Sequence, residues 1–145
     1  SMGYGLPAAV AAAFVHPERT VVCFAGDGCF LMTGQEMATA VQYGLRLVVL
    51  VVNNGMYGTI RMHQEREYPT RVSGTELRNP DFAALARAYG AHGAKVERTA
   101  DFGPALEAAL AFNGPALIEL VLDPEALTIR ASLSQIRNAA IAAGR

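Results

Sequence analysis

The sequence predicts an α/β fold with a doubly wound, mostly parallel sheet that carries helices on both faces. β-prone runs and helical segments alternate along the chain, as in repeated β-α units. The run at residues 46–52 is apolar without polar alternation, which is typical of a strand buried on both faces of a parallel sheet. The 145 residues, 52% of them hydrophobic, suffice for one sizeable core, so we expect a single domain over residues 1–145.

The first half of the chain is predicted to hold three helices and two strands. The alanine-rich stretch at residues 6–14 is apolar nearly all round, which predicts a buried helix that ends at His16 and Pro17. Residues 20–25 are rich in valine and phenylalanine, which predicts the first strand. The remaining elements of this half are a helix at about 33–43 that Gly44 ends, the strand at 46–52, and a helix at about 57–65.

The second half opens with a polar loop through residues 65–79, which we interpret as an excursion within the same domain. Asn79 is the predicted N-cap of the next helix, with Pro80 at its first position, and Gly90 ends that helix. Asp101 is the predicted cap of a later one. The predicted elements are helix 81–89, strand 94–97, helix 102–112, strand 116–122 and a C-terminal tail at 124–145 with a last helix at 132–142.

Composition excludes several functions. The 12 basic and 13 acidic side chains give a net charge of −1, without the basic footprint of a nucleic-acid binder. The longest apolar stretches fall short of the roughly 20 residues of a membrane span, and no signal peptide opens the chain, so we expect a cytoplasmic protein.

Cys23 and Cys29 match no metal or redox spacing and are expected to be reduced thiols. A charged fraction of only 17% and a mean hydropathy of +0.22 indicate a piece of a larger subunit.

Polar residues follow the two most apolar predicted strands. Gly26-Asp27-Gly28 comes after the first strand and Asn53-Asn54-Gly55 after the second. In parallel sheets ligands bind beyond the carboxyl ends of the strands, and glycines let the backbone approach a phosphate that the next helix N-terminus favours. Asp27 and Asn54 offer hard oxygen ligands, which suit Mg²⁺ better than zinc. The sequence therefore predicts a diphosphate held through Mg²⁺.

Two other interpretations of these glycine-containing motifs are weaker. Asn54-Gly55 is a common hairpin turn, but residues 56–63 lack the alternation of a following strand. Gly3, Gly5 and Ala8 superficially match the dinucleotide fingerprint of a nicotinamide or flavin binder, although no strand precedes them in the sequence. A nicotinamide-dependent oxidoreductase therefore stays open as an alternative.

The motif Gly26-Asp27-Gly28, followed after residues 29–52 by Asn53-Asn54, is similar to the GDG…NN signature of thiamine-diphosphate (ThDP) enzymes. Residues 2–9, 34–40 and 53–61 also resemble the equivalent stretches of acetolactate synthase, benzoylformate decarboxylase and their relatives. The resemblance runs from Met2 to about Pro124. It implies the C-terminal diphosphate-binding (PP) domain of such an enzyme.

The resemblance also implies roles for single residues. Asp27, the side-chain amide of Asn54 and the backbone carbonyl of Met56 are the expected metal ligands. Contacts to the cofactor are expected from Met2, which would support the bent ThDP, and from Gly26, Gly28, Cys29, Asn54, Tyr57 and Gly58. Cys29 stands where many relatives have serine, which removes a hydroxyl donor but leaves the backbone contact.

The implied activity is cleavage or formation of a C–C bond next to a carbonyl, by a 2-oxo acid decarboxylase or carboligase, hence a lyase or transferase. The proton-relay glutamate is expected on a missing pyrimidine-binding domain of a second subunit, so this chain alone would be inactive. Its own Glu36 is interpreted as a helix-start or packing residue, and Glu119 has no motif role. A ThDP-binding regulatory module without catalysis remains an alternative. We further expect Glu65 and Glu67 on a solvated loop rim, and the tail folded over the site. Arg61 and His63 are interpreted as a solvent-facing stripe, with contact to a substrate carboxylate as the alternative. His92 is expected at an element end, where a polar loop role suffices.

Overall fold

The computed structural model describes residues 1–144, which form two compact units. The first comprises Ser1–Asn53 and Asn79–Val121, and the second comprises Asn54–Arg78 and residues 122–144. Arg145, the end of the predicted tail, lies outside the described residues. None of the helices in residues 1–144 combines the length and the apolar character that a membrane span needs.

The first unit is a four-stranded parallel sheet covered by helices, which confirms the predicted fold class. The strand order is β1-β2-β4-β3, and every neighbouring pair is parallel. Its elements are α1 (Gly5–Val15), β1 (Val21–Gly26), α2 (Asp27–Thr33), α3 (Glu36–Gln42), β2 (Leu47–Asn53), α5 (Phe82–Tyr89), β3 (His92–Val96), a short 3-10 helix (Thr99–Asp101), α6 (Phe102–Ala111) and β4 (Ala116–Val121).

The central strand β2 separates two apolar cores, as its unbroken hydrophobic run predicted. Leu47, Val49 and Val51 face the larger core, which α1, α3 and α5 complete, whereas Val48 and Leu50 face a smaller core under α6. The register pairs Gly26 with Val52, and Asn53 with Val121. The carboxyl ends of β1, β2 and β4 therefore meet at one edge of the sheet.

Helix α1 is less buried than its composition predicted. Leu6, Ala9, Val10 and Ala13 are buried, and their i, i+3, i+4, i+7 spacing places them on one face. Phe14 and the residues at 15–16 are exposed. The expectation of a helix buried all round was wrong, because only one side of α1 packs on the sheet.

The segment after β1 also differs from the expectation of one helix at about 33–43. Helix α2 begins at Asp27 directly, and α3 follows at Glu36. Gly34 lies between them because a Cβ there would meet the Phe30 ring at 2.9 Å. Glu36 is the first residue of α3 and accepts a hydrogen bond from Thr39 Oγ1, so its interpretation as a helix start is confirmed.

Of three further expectations about element ends, the N-cap at Asn79 was wrong. The N-cap of α5 is Asp81, whose side chain accepts a hydrogen bond from the Ala84 N–H, and not Asn79. Asp101 is the N-cap residue of α6, as predicted, but its side chain makes no capping hydrogen bond and binds Arg98 instead. His92 lies at an element end, as expected, although it is the first residue of β3 and not a loop residue.

The second unit contains two helices, α4 (Gly58–Glu67) and α7 (Leu133–Ala142). Both were predicted within about two residues. Ser132 caps α7 by accepting from the Gln135 N–H, and the Gln135 side chain accepts from the Ser132 N–H, which completes a capping box. Ahead of α4, Met56 forms an isolated antiparallel bridge with Glu76.

Gly93 in β3 allows α5 to approach the sheet closely. A Cβ at Gly93 would lie against the Ala83 carbonyl group, whose carbon would be 3.0 Å away. We therefore expect Gly93→Ala to lower the free energy of unfolding by about 3 kcal/mol, at the upper end for overpacking, because a backbone group must move. Urea denaturation measures this change. Gly103→Ala in α6 is the matched control, since a Cβ there meets nothing within 4 Å; equal stability of the two variants would contradict the close approach.

Candidate functional site

Asp27 lies where β1 ends and α2 begins, at the carboxyl edge of the sheet. Its side chain is only 3% exposed. The Gly28 N–H donates to Asp27 Oδ1 at 2.9 Å, and Asn79 Nδ2 donates to Asp27 Oδ2 at 2.7 Å. Both carboxylate oxygens are therefore oriented by hydrogen bonds from within the first unit.

Asn79 links Asp27 to two more polar side chains at this edge. Asn79 Nδ2 also donates to Asn53 Oδ1 at 2.8 Å, and Asn53 Nδ2 donates to Glu119 Oε1 at 2.7 Å. We call these four side chains the edge network. Its members come from the ends of β1, β2 and β4 and from the loop before α5, so the predicted clustering of polar groups at strand ends includes two residues that the sequence did not assign to it, Asn79 and Glu119.

Two acceptor atoms of the edge network lie buried without a hydrogen-bond partner among the described residues. They are Asn79 Oδ1 and Glu119 Oε2. Glu119 as a whole is 3% exposed. Because an unsatisfied buried acceptor costs free energy, this edge is not arranged for stability alone.

Asn54 and Met56, the other predicted metal ligands, begin the second unit. Asn54 Oδ1 accepts a hydrogen bond from the Met56 N–H at 3.1 Å across Gly55, whose φ is +71°. The bridge between Met56 and Glu76 uses the Tyr57 N–H to the Thr75 carbonyl and the Leu77 N–H to the Gly55 carbonyl. This pairing leaves the Met56 carbonyl out of the bridge hydrogen bonds.

Gly58 makes room for the Asn54 side chain. A Cβ at Gly58 would lie 2.8 Å from Asn54 Nδ2 and 3.0 Å from Leu127 Cδ2. Any larger residue must therefore displace the amide that the sequence predicts to be a metal ligand. The space that the Asn54 side chain needs therefore explains why position 58 is a glycine.

Four of the other predicted cofactor contacts, Met2, Gly26, Gly28 and Cys29, lie in the first unit. Gly26 has an extended backbone and forms the N-cap of α2, and Cys29 is a partly buried free thiol. Met2 is partly exposed, and Thr33 Oγ1 donates to the neighbouring Gly3 carbonyl at 2.9 Å. The roles of Met2, Gly26, Gly28 and Cys29 toward a cofactor stay predictions.

Glu65 is not a solvated residue, so that expectation was wrong. It is 1% exposed and accepts from Arg61 Nε at 3.0 Å, from Arg137 Nε and Nη2 at 2.8 Å each, and from the Thr70 N–H at 3.1 Å. The hydrogen bonds from Arg137, then those from Thr70 and Arg61, lower the pKa of Glu65 to about 2. We call Glu65, Arg61 and Arg137 the Glu65 cluster. It joins α4 to α7 within the second unit.

Of the predicted stripe on α4, only one residue is solvent-facing. His63 is exposed as expected, and Arg61 is buried in the Glu65 cluster.

A shallow cavity lined by Arg19 and Arg46 opens near the amino ends of β1 and β2. That position is at the opposite end of these strands from Asp27, so the cavity is separate from the edge network.

Comparison with known proteins identifies the family. Residues 1–120 match the family described as thiamine pyrophosphate enzyme, C-terminal TPP binding domain. Acetolactate synthase from Arthrospira platensis is 40% identical over 122 residues, covering 83% of this chain and 21% of the relative. The acetolactate synthase isozyme 2 large subunit of Escherichia coli (strain K12) is 40% identical over 124 residues, covering 85% and 23%. The solved thiamine diphosphate-dependent 4-hydroxybenzoylformate decarboxylase of Rhodococcus jostii RHA1 has a TM-score of 0.79 at 35% identity, covering 84% and 23%.

The first unit is a parallel α/β sheet with a carboxylate and amides at its carboxyl edge. This arrangement is typical of cofactor-binding α/β domains. With the match over residues 1–120, the chain belongs to the C-terminal TPP-binding domains of thiamine pyrophosphate enzymes. The resemblance inferred from the GDG…NN motif is confirmed. The chain spans about a fifth of the length of the curated relatives it matches.

Proposed function

We propose that this chain binds the diphosphate of ThDP through Mg²⁺, as one domain of an acetolactate synthase-like enzyme that cleaves or forms C–C bonds next to a carbonyl. One observation carries the proposal: in a domain of the TPP-binding family, the Asp27 carboxylate is buried at the carboxyl end of β1 and fixed by hydrogen bonds. A buried carboxylate is costly unless it is paired or binds a cation.

The donors of this chain fit a hard cation. Asp27 supplies a carboxylate, Asn54 an amide oxygen and Met56 a backbone carbonyl that its bridge leaves unused. Oxygen donors with one carboxylate, completed by phosphate and water, are the set that Mg²⁺ prefers. Contacts to ThDP are proposed for Met2, Gly26, Gly28, Cys29, Asn54, Tyr57 and Gly58.

The chain's own contribution is to hold and orient the cofactor. ThDP supplies the electron sink for C–C bond cleavage, so the protein contributes position and electrostatics. The substrate class we propose is a 2-oxo acid or an aldehyde, which makes the whole enzyme a lyase or a transferase. A pyrimidine-binding domain and a second subunit of a homo-oligomer would supply the proton-relay glutamate. The location we propose for this enzyme is the cytoplasm.

Calorimetry on the full-length protein tests this proposal. ThDP titrated in the presence of Mg²⁺ should bind saturably, and removal of divalent cations should abolish that binding. NADH, the ligand of the nicotinamide alternative, should not bind. ThDP binding that is indifferent to Mg²⁺ would refute the metal-mediated mode. Turnover of a 2-oxo acid by the same protein distinguishes an enzyme from a ThDP-binding regulatory module.

The 145-residue chain alone is expected to have no decarboxylase or carboligase activity, even with excess ThDP and Mg²⁺. The reason is that the proposed proton-relay glutamate and one wall of the cofactor site lie on other domains. Product formation from pyruvate or benzoylformate, followed chromatographically with the full-length protein as positive control, is the measurement. Turnover by the purified 145-residue chain would overturn the expectation.

We also expect the 145-residue chain to self-associate. Val22 and Phe24 lie on β1, an edge strand of the sheet, where they point to the same face and are 44% and 70% exposed. Tyr4 and Val15 are exposed near the ends of α1. Burial of apolar surface is worth about 25 cal/mol per Å², and a twofold dimer is the commonest closed form. Sedimentation velocity at micromolar concentration measures the mass. A single 15.4 kDa species would contradict this expectation.

A further inference from the structure

The edge network connects the proposed metal ligand to a second buried carboxylate on another strand. Asp27 and Glu119 are each 3% exposed, and two amides bridge them. Asn53 and Glu119 share a face of the sheet, because the register sets Val51 beside Glu119 and side chains alternate along each strand. The bridge thus follows from the strand pairing.

The hydrogen bonds of the network run outward from the Asn79 amide, through Asn53 to Glu119 on one side and to Asp27 on the other. The Glu119 oxygen accepts from Asn53 Nδ2, which turns Asn53 Oδ1 toward Asn79. Asn79 must then present its NH₂ group, and the two hydrogens of that group serve Asn53 Oδ1 and Asp27 Oδ2. Reversing the Asn79 amide would set its oxygen against the Asp27 carboxylate. An acceptor at position 119 therefore selects the donor that Asp27 receives.

The unsatisfied atoms argue against a purely structural role. Asn79 Oδ1 and Glu119 Oε2 are buried without partners among the described residues, which costs stability. Apolar residues of similar size at positions 79 and 119 would avoid that cost. The network keeps this cost in stability, and it ends on Asp27, a proposed metal ligand. We therefore explain the network by its effect on that ligand.

We propose that Glu119 and Asn79 are positioning residues, which act through Asn53 to hold the Asp27 carboxylate in the orientation that binds the cation. This inference rests on the proposed function, because it assumes that Asp27 is a ligand. Hydrogen-bond partners behind metal ligands typically change metal affinity by 10-fold to 100-fold when they are removed. The effect of Glu119 should pass entirely through the amides.

The test is a double-mutant cycle on the full-length protein, with Mg²⁺ titrated calorimetrically at saturating ThDP and the melting temperature recorded for every variant. We expect Asn79→Ala and Glu119→Ala each to weaken Mg²⁺ binding by about 10-fold or more, and the double variant to be no weaker than the worse single variant. Glu119→Gln, which keeps an acceptor for Asn53, should bind Mg²⁺ within about twofold of the wild type. Glu97→Ala, an exposed glutamate near the end of β3, is the control.

The outcomes separate this inference from the proposed function. If Asp27→Ala loses Mg²⁺ binding while Asn79→Ala and Glu119→Ala keep it, the metal site stands and the positioning role is wrong. If Asp27→Ala keeps Mg²⁺ binding, both are wrong. A lower melting temperature with unchanged Mg²⁺ affinity also overturns the positioning role. Should Glu119→Ala fail to fold, the half-buried Asn79 and the conservative Glu119→Gln decide the question.

Discussion

Replacement of Asp27 by alanine is expected to abolish Mg²⁺-dependent binding of ThDP to the full-length protein. Asp27 is the one charged residue in the proposed ligand set, and its carboxylate is buried and held at the end of β1. Loss of the charged ligand should weaken ThDP binding by more than about 100-fold, beyond the cost of losing a supporting partner. Calorimetry with ThDP, with and without Mg²⁺, measures the effect.

Graded variants give this prediction its controls. Asp27→Asn keeps an oxygen donor without the charge, so its ThDP affinity should lie between those of the wild type and Asp27→Ala. Asn54→Ala should weaken binding in the same direction, because it removes a neutral ligand. An Asp27→Ala protein that binds ThDP with unchanged affinity and unchanged dependence on Mg²⁺ would refute the metal assignment.

The sheet and the position of Asp27 could be predicted because their causes are local. Residues 46–52 form an unbroken apolar run, and both faces of the resulting strand are buried. Parallel pairing then brings the ends of β1, β2 and β4 together whatever the intervening loops do. The start of α2 at Asp27 was missed because two glycines beside an aspartate also suit a turn.

Asn79 was misassigned because its sequence context offers two capping residues. Asn79 and Asp81 both precede the apolar run of α5, and each is a good N-cap. Asp81 takes the cap, and Asn79 binds Asp27 and Asn53, which are 52 and 26 residues away along the chain. Only the folded arrangement of the strand ends reveals that Asn79 belongs to the site.

Glu65 was misassigned for a related reason. Its neighbours Arg66 and Glu67 are charged and exposed, so the local pattern is that of a solvated surface. Arg137, the residue with the largest effect on its pKa, lies 72 positions further along the chain. A partner so distant in sequence leaves no local signal. The Glu65 cluster nevertheless decides how α7 is held on α4.

Glu65→Gln is expected to destabilise the protein by about 3 kcal/mol at neutral pH, because it removes the buried carboxylate that pairs with both Arg61 and the partly buried Arg137. Denaturation monitored by circular dichroism in urea measures the loss. Arg98→Ala is the matched control: Arg98 also makes two hydrogen bonds to a carboxylate, that of Asp101, but this pair is exposed. The control should change stability by less than about 1 kcal/mol.

The same residue should give stability a pH dependence of known sign. Folding lowers the pKa of Glu65 from 4.5 to about 2, so the folded state holds the carboxylate ionised where the unfolded chain binds a proton. The stabilisation from Glu65 is therefore complete above pH 4.5 and is lost as the pH falls toward 2. Urea denaturation between pH 7 and 2.5 should show the wild type and Glu65→Gln converging in stability as the solution is acidified. A constant difference between the two proteins across that range would show that the charge of Glu65 does not hold α7 on α4.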